Sequence, residues 1–140
     1  MLKGTKENAA NKERTERILR ILEENNIEII ETDLPELKAC TLKTADTFYI
    51  CIDKSLTPKE RKTALYHEIG HIFTNTFYTI GEPDRKEAEE KATLWSIENI
   101  ITCKEYEELL EQGYNTKDKI AKYLGITAQF ADKIIEHYRS

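Results

Sequence analysis

The chain has 140 residues, a length typical of one domain. Charged residues make up 34% and hydrophobic residues 39%, so the composition is polar yet globular, and it excludes a disordered chain. The net charge of −5 disfavours general binding to phosphate backbones, which requires clustered Lys and Arg. No apolar run approaches the roughly 20 residues that span a bilayer. We therefore expect a single domain over residues 1–140 that does not bind a membrane.

The cysteines and the first residues bear on the compartment. Cys40, Cys51 and Cys103 are odd in number and widely spaced, and they form no CxxC pair. Such cysteines are typical of reduced thiols in a reducing compartment. The first residues lack the apolar segment of a signal peptide. These features predict a cytoplasmic protein.

The first half of the chain predicts a helix and a small sheet. Residues 1–10 are polar, and we expect them to be flexible. Apolar residues recur at helical spacing within 11–25, which predicts the first helix. Three strands are expected over 27–32, near 38–43 and over 47–52. The last of these is rich in β-branched and aromatic residues and is the strongest strand prediction.

The second half predicts helices only. Thr57-Pro58-Lys59-Glu60 is a capping box with Pro at the first helical position, and its helix should extend to about 76. Gly81, Pro83 and Asp84 indicate a loop and a cap for a second helix, which extends to about 101. A capping box over 102–105 begins a third helix, for which Gly113 is the expected stop. A C-terminal helical pair fills 114–140, with helices over 116–123 and 127–138. The order of elements predicts an α+β fold with a three-stranded sheet.

The motif His67-Glu68-Ile69-Gly70-His71 indicates a metal site. Positions i and i+4 of a helix lie on one face, so His67 and His71 can bind one cation. Two imidazoles and a carboxylate are ligands that Zn²⁺ prefers. Glu68 lies beside them, where it can accept a proton from an attacking water as a general base. The motif therefore predicts a zinc peptidase, with Glu68 as its catalytic residue.

The third ligand is expected on the helix that follows, which offers three carboxylates. At about 100° per residue, the small residues Ala88 and Ala92 share a face that can approach the metal helix closely. Glu89 borders that face, whereas Glu87 and Glu90 point elsewhere, as a solvated charge run would. Glu89 is the predicted ligand, and Glu90 is the alternative.

Several segments resemble the ImmA/IrrE metallopeptidases over about residues 23–138. The matching motifs are Tyr49-Ile50-Cys51-Ile52-Asp53, Leu56-Thr57-Pro58-Lys59-Glu60-Arg61, His67-Glu68-Ile69-Gly70-His71, Glu89-Glu90-Lys91-Ala92-Thr93-Leu94-Trp95-Ser96 and Ile120-Ala121-Lys122-Tyr123-Leu124-Gly125-Ile126-Thr127. The resemblance implies a zincin-like fold around the HExxH helix, with Glu89 as a zinc ligand. It also implies narrow-specificity cleavage of a helix-turn-helix repressor, as an anti-repressor of phage, mobile-element or stress genes.

Two other functions compete with the peptidase. Residues 120–138 carry a helix-turn-helix type of pattern, which would suit a DNA-binding protein. However, the second helix of that pattern has Lys133 against Asp132 and Glu136, so contacts to bases and phosphates are poorly supplied, and direct nucleic-acid binding is disfavoured. The third possibility is a metal-bound regulator that binds a partner protein without cleaving it.

A final prediction concerns substrate docking and the groups around the reaction. Peptides commonly bind as a strand added to a sheet edge. The strand over 47–52 is predicted to be that edge, and its residues Phe48, Tyr49, Ile50, Cys51 and Ile52 are the predicted substrate-binding set. Tyr66 and Tyr78 flank the metal helix and could reach a developing oxyanion, although each is more often a packing residue.

Overall fold

The computed structural model describes residues 2–76 and 85–139, with side chains from residue 9 onward. It confirms an α+β fold with a small sheet. The elements are α1 (Leu2–Glu24), β1 (Ile27–Thr32), β2 (Ala39–Lys43), β3 (Phe48–Asp53), α2 (Pro58–Thr74), α3 (Arg85–Ile100), α4 (Cys103–Glu111), α5 (Lys117–Leu124) and α6 (Ala128–Arg139). None of the helices in these ranges combines the length and the apolar character that crossing a bilayer requires.

The first helix is longer than predicted. α1 begins at Leu2, so the prediction that the helix starts near residue 11 is wrong. The segment is polar, but it consists largely of good helix formers and has no proline, so the helix can extend through it. Arg14 fixes α1 to the rest of the molecule, because its Nε donates to the carbonyl of Ile100 at 2.8 Å and its Nη2 pairs with Glu105.

The sheet has the order β1-β3-β2. β1 pairs with β3 in parallel, and β2 pairs with β3 antiparallel. The prediction that residues 47–52 form an edge strand is therefore wrong, because β3 is the central strand. Ile50 and Ile52 have 0% exposure, and a strand hydrogen-bonded on both sides favours the β-branched residues found there. The high strand propensity of residues 47–52 therefore reflects a buried central strand and not an exposed edge strand.

The predicted caps of the helices are confirmed where the structure describes them. Thr57 and Glu60 form the reciprocal hydrogen bonds of a capping box at the start of α2. The same arrangement of Thr102 and Glu105 begins α4. The C-cap residue of α2 is Asn75, whose φ of 52° is left-handed. Tyr78 and the predicted loop and cap, Gly81, Pro83 and Asp84, lie outside the described residues.

The C-terminal helical pair, α5 and α6, packs on α2 and contributes to the hydrophobic core. The Nζ of Lys62 on α2 donates to the carbonyl of Leu124 at the end of α5, at 2.6 Å. The backbone N–H of Thr127 donates to the hydroxyl of Thr63, also on α2, at 3.1 Å. Burial lowers the pKa of Lys62, as expected for an ammonium withdrawn from water. The buried core of the pair includes Ile120, Leu124, Ile126, Phe130 and Ile134.

Candidate metal centre

The two histidines of the motif lie one turn apart on α2 with their rings in contact. The ring centroids are 4.8 Å apart and the rings are nearly perpendicular, at 87°. One ligand atom from each of His67, Glu68 and His71 can be chosen so that all three lie within 4.8 Å of one another. His71 is only 6% exposed, whereas His67 is half-buried and faces a cavity. The HExxH spacing therefore brings two imidazoles and a carboxylate together on one side of α2, beside a cavity.

Glu89 on α3 meets both imidazoles. Its Oε2 lies 2.5 Å from Nε2 of His67, and its Oε1 lies 3.5 Å from Nε2 of His71. The predicted alternative, Glu90, and the third carboxylate, Glu87, do not make this contact. Glu87 is exposed and pairs with Lys91 one turn further along α3, at 3.1 Å, and Glu90 is exposed. Of the three neighbouring carboxylates, Glu89 is the one that contacts both histidines.

A hydrogen bond at the end of α2 orients His71. Its Nδ1 lies 3.0 Å from the backbone carbonyl oxygen and 3.0 Å from the hydroxyl oxygen of Thr76. The left-handed turn at Asn75 brings Thr76 back to the helix, where its N–H donates to the carbonyl of His71 at 3.0 Å. When Nδ1 carries the proton and donates it to the carbonyl, Nε2 retains a lone pair on the side of Glu89. Such outer partners commonly fix the tautomer of a metal-binding histidine.

The close approach of α2 and α3 depends on Gly70. A Cβ built on Gly70 would lie 2.5 Å from the carbonyl oxygen of Ala92, closer than real Cβ contacts. Ala92 is itself fully buried and small. Glycine and alanine at this contact let the two backbones meet, and this places Glu89, one turn before Ala92, against the histidines. The glycine of the motif therefore has a packing role, while its neighbours provide the chemistry.

Glu68 has a partner that sequence reasoning missed. The hydroxyl of Thr41 on β2 donates to Oε1 of Glu68 at 2.7 Å. No sequence signal marked Thr41, because its segment was a weakly predicted strand and its contact with α2 depends on how the sheet packs. The bond fixes one carboxylate oxygen of Glu68 and leaves the other available to accept a proton.

Two cavities lie along this surface. One, of about 450 Å³, is lined by His67, Glu68 and Glu89 together with Ala39 at the start of β2 and residues of α6, and the other, of about 900 Å³, lies between α3 and α6. Both share Arg85, Glu89, Thr93 and Lys133, so the two cavities adjoin, and together they are called the groove. None of the predicted substrate-binding residues, Phe48, Tyr49, Ile50, Cys51 and Ile52, lines either cavity.

Tyr66 does not face the groove. It is 2% exposed and belongs to the hydrophobic core. Burial raises the pKa of its phenol, which the charges of Arg14 and Arg17 on α1 partly offset. It is therefore a packing residue, and the second tyrosine considered, Tyr78, lies outside the described residues.

The donor set fits a borderline divalent cation. Two imidazole nitrogens and a carboxylate are the protein ligands of several zinc hydrolases, in which the fourth position stays open. His67 borders the groove, so that position would be reached from solvent.

Comparison with known proteins identifies the family of the chain. No curated protein matches the chain. The family model for the IrrE N-terminal-like domain, peptidase M78, matches residues 22–136, which include β1 to β3 and almost all of α2 to α6. The chain therefore belongs to the IrrE N-terminal-like metallopeptidase family.

Proposed function

We propose that the chain is a zinc-dependent endopeptidase of narrow specificity, with His67, His71 and Glu89 as the zinc ligands. The observation that carries the proposal is the meeting of both Nε2 atoms with one carboxylate, beside a glutamate held by Thr41. A bound divalent ion supplies Lewis acidity to the scissile carbonyl and to the attacking water.

The residues of the chain perform the proton transfers. The free carboxylate oxygen of Glu68 accepts the proton of the attacking water and later passes it to the departing amine. The hydroxyl of Thr41 donates to the other oxygen throughout, so the carboxylate stays oriented toward the groove. The hydrogen bond between His71 and Thr76 keeps the imidazole in one orientation while the charge on the carbonyl develops.

The substrate is proposed to bind as an extended segment along β2. Within the described residues, β2 pairs only with β3, and its other edge carries no strand. In an antiparallel pair the backbone groups of alternate residues point toward the partner strand. Lys38 accepts from Asp53 of β3 and Thr44 donates to Thr47, so Ala39, Thr41 and Lys43 direct their N–H and C=O groups outward. The hydroxyl of Thr41 links this edge to Glu68. This edge strand offers a peptide the hydrogen bonds that central β3 cannot.

The proposed substrate class is a helix-turn-helix repressor whose cleavage derepresses phage, mobile-element or stress genes. This part of the proposal rests on membership of the family. The larger cavity also suits a polypeptide substrate, because it is lined by the apolar residues Leu94 and Ile97 together with charged residues of both signs. The chain would act in the cytoplasm, where such repressors bind DNA.

Two alternatives remain, a DNA-binding protein and a partner-binding regulator that does not cleave. The placement of α6 disfavours the first, because Gln129, Phe130 and Lys133 of its first turns line the groove instead of projecting as a recognition helix. The second shares every feature of the site except turnover.

Cleavage separates the peptidase from the regulator. The zinc-loaded protein is incubated with the repressor encoded beside its gene, and the products are identified by mass spectrometry. Wild type should yield two fragments, and Glu68→Gln, which keeps the shape but cannot accept the proton, should retain zinc and yield none. Binding of the intact repressor by both proteins, without fragments, would favour the regulator.

A further inference from the structure

Two cysteines lie directly opposite each other in the sheet. Cys40 on β2 is the register partner of Cys51 on β3. The bonds on either side, from Asp53 N–H to Lys38 and from Thr44 N–H to Thr47, are both 2.9 Å long. By the alternation of an antiparallel ladder, Cys40 and Cys51 form a hydrogen-bonded pair, for which the Cα separation is about 5.5 Å. That separation lies within the range of roughly 4.4–6.8 Å found in disulfides.

The two thiols point to the same side of the sheet. The side chain of Thr41 faces α2, so its neighbours Cys40 and Leu42 face the opposite side, where Leu42 is 55% exposed. Directly paired residues share a face, which places Cys51 beside Cys40. The pKa of Cys40 is raised, first by burial, then by the adjacent Cys51 thiol and last by the charge of Glu68. Both thiols are free, and Cys40 is the more accessible of the two.

We propose that Cys40 and Cys51 are a redox site that a peroxide converts into a disulfide across β2 and β3. The thiol of Cys40 loses its proton as its sulfur attacks one oxygen of hydrogen peroxide, the O–O bond breaks, and a sulfenic acid and water form. The sulfur of Cys51 then attacks the sulfur of Cys40, so that the S–S bond forms as the S–O bond breaks. Two thiols and one peroxide thus give one disulfide and two waters.

The disulfide would join the edge strand to the central strand next to the catalytic base. Cys40 precedes Thr41, the residue that donates to Glu68, but its sulfur lies on the other face of the sheet. The bond therefore fixes the register of β2 without entering the groove. The inference does not depend on the proposed peptidase function, because it rests on the sheet alone.

The third cysteine is a matched internal control. Cys103 is exposed in the first turn of α4, and the nearest hydrogen-bonding partner of its thiol is Glu107, at 3.8 Å. Cys103 is more accessible to peroxide than Cys40 or Cys51, but it lies in α4 and not in the sheet. Oxidation governed by exposure alone would therefore modify Cys103 first and leave the sheet pair unlinked.

Peptide mapping of the full chain tests the proposal. The reduced protein is treated with hydrogen peroxide, the remaining thiols are alkylated under denaturing conditions, and the chain is digested with trypsin, which separates residues 39–43 from 44–54. These two peptides should appear joined, with a mass two hydrogens below their sum, and the alkylated thiols should fall from three to one. Dithiothreitol should restore all three.

Variants and alternative products decide the assignment. Cys103→Ser should keep the link, and either Cys40→Ser or Cys51→Ser should remove it. The proposal fails if wild type gives only sulfinic acid at Cys40, links that involve Cys103, or dimers joined between chains. Because wild type alone supplies each of these outcomes, a variant that fails to fold does not weaken the test.

Discussion

The α2–α3 helix pair and the β2–β3 strand pair contribute to the site in different ways. The helices meet backbone to backbone at Gly70 and Ala92 and bring together the donor atoms of three side chains. The sheet contributes one hydroxyl, that of Thr41, and the outward backbone groups of an edge strand. In the proposed function, the helix pair holds the cation, and the sheet edge positions the general base and the peptide. Changes to the helices should affect metal binding, whereas changes to the edge should affect turnover.

The largest expected effect is at Glu89. Glu89→Gln should weaken zinc affinity by at least about 100-fold, because loss of outer-shell partners alone commonly costs about 10- to 100-fold. A competition titration with a chromophoric chelator measures it. Glu90→Gln, on the next residue of the same helix, is the control and should bind zinc as wild type does. Equal affinities for the two variants would remove Glu89 from the site.

Gly70→Ala should break the helix pair itself. In an open helix this change would stabilise by about 1 kcal/mol. Here the added Cβ meets the carbonyl oxygen of Ala92, so we expect a net loss of about 2 kcal/mol in the free energy of unfolding. Zinc affinity should fall about 10-fold as α3 moves away.

Denaturant unfolding of the metal-free protein, together with the zinc titration, tests this change. Gly113→Ala is the control, because its Cβ would meet no atom within 4 Å but its φ of +93° strains any side chain. It should lose about 1 kcal/mol of stability and keep its zinc affinity. If Gly70→Ala were more stable than wild type, the proposed close approach of α2 and α3 would be wrong.

Thr41 tests the sheet side of the comparison. Thr41→Val removes the hydroxyl at nearly constant shape, so Glu68 loses its hydrogen bond, and kcat should fall about fivefold, equivalent to about 1 kcal/mol. Zinc content and KM should stay unchanged. Thr41→Ser keeps a hydroxyl and should restore most of the rate of repressor cleavage. A valine variant as fast as wild type would show that the hydrogen bond does not contribute to turnover.

The smallest effect is expected in amide exchange along the open edge. In zinc-loaded Glu68→Gln, the outward amides of Thr41 and Lys43 should exchange more slowly when the repressor is added. The amides of β1, whose edge lies on the other side of the sheet, are the control. Protection that appears on β1 but not on β2 would move the docking site to the other edge.

Sequence patterns predicted the elements well because their signals are local. The capping boxes at Thr57 and Thr102 fixed two helix starts, and the HExxH spacing placed His67, Glu68 and His71 on one face. The order of the strands in the sheet is not local. The apolar residues of β3 indicate that the strand is buried, but such a pattern does not show whether the strand is central or at an edge of the sheet. Thr41 was missed for the same reason, since only the packing of β2 on α2 brings it to Glu68.

The metal content of purified protein tests the central claim most directly. Wild type should contain about one zinc ion per chain, since the proposed site has one set of three ligands. His67→Ala should contain almost none. The control is His137→Ala, which alters the one histidine outside the motif, on α6, and it should match wild type. If elemental analysis finds as much zinc in His67→Ala as in wild type, the site described here does not bind the metal.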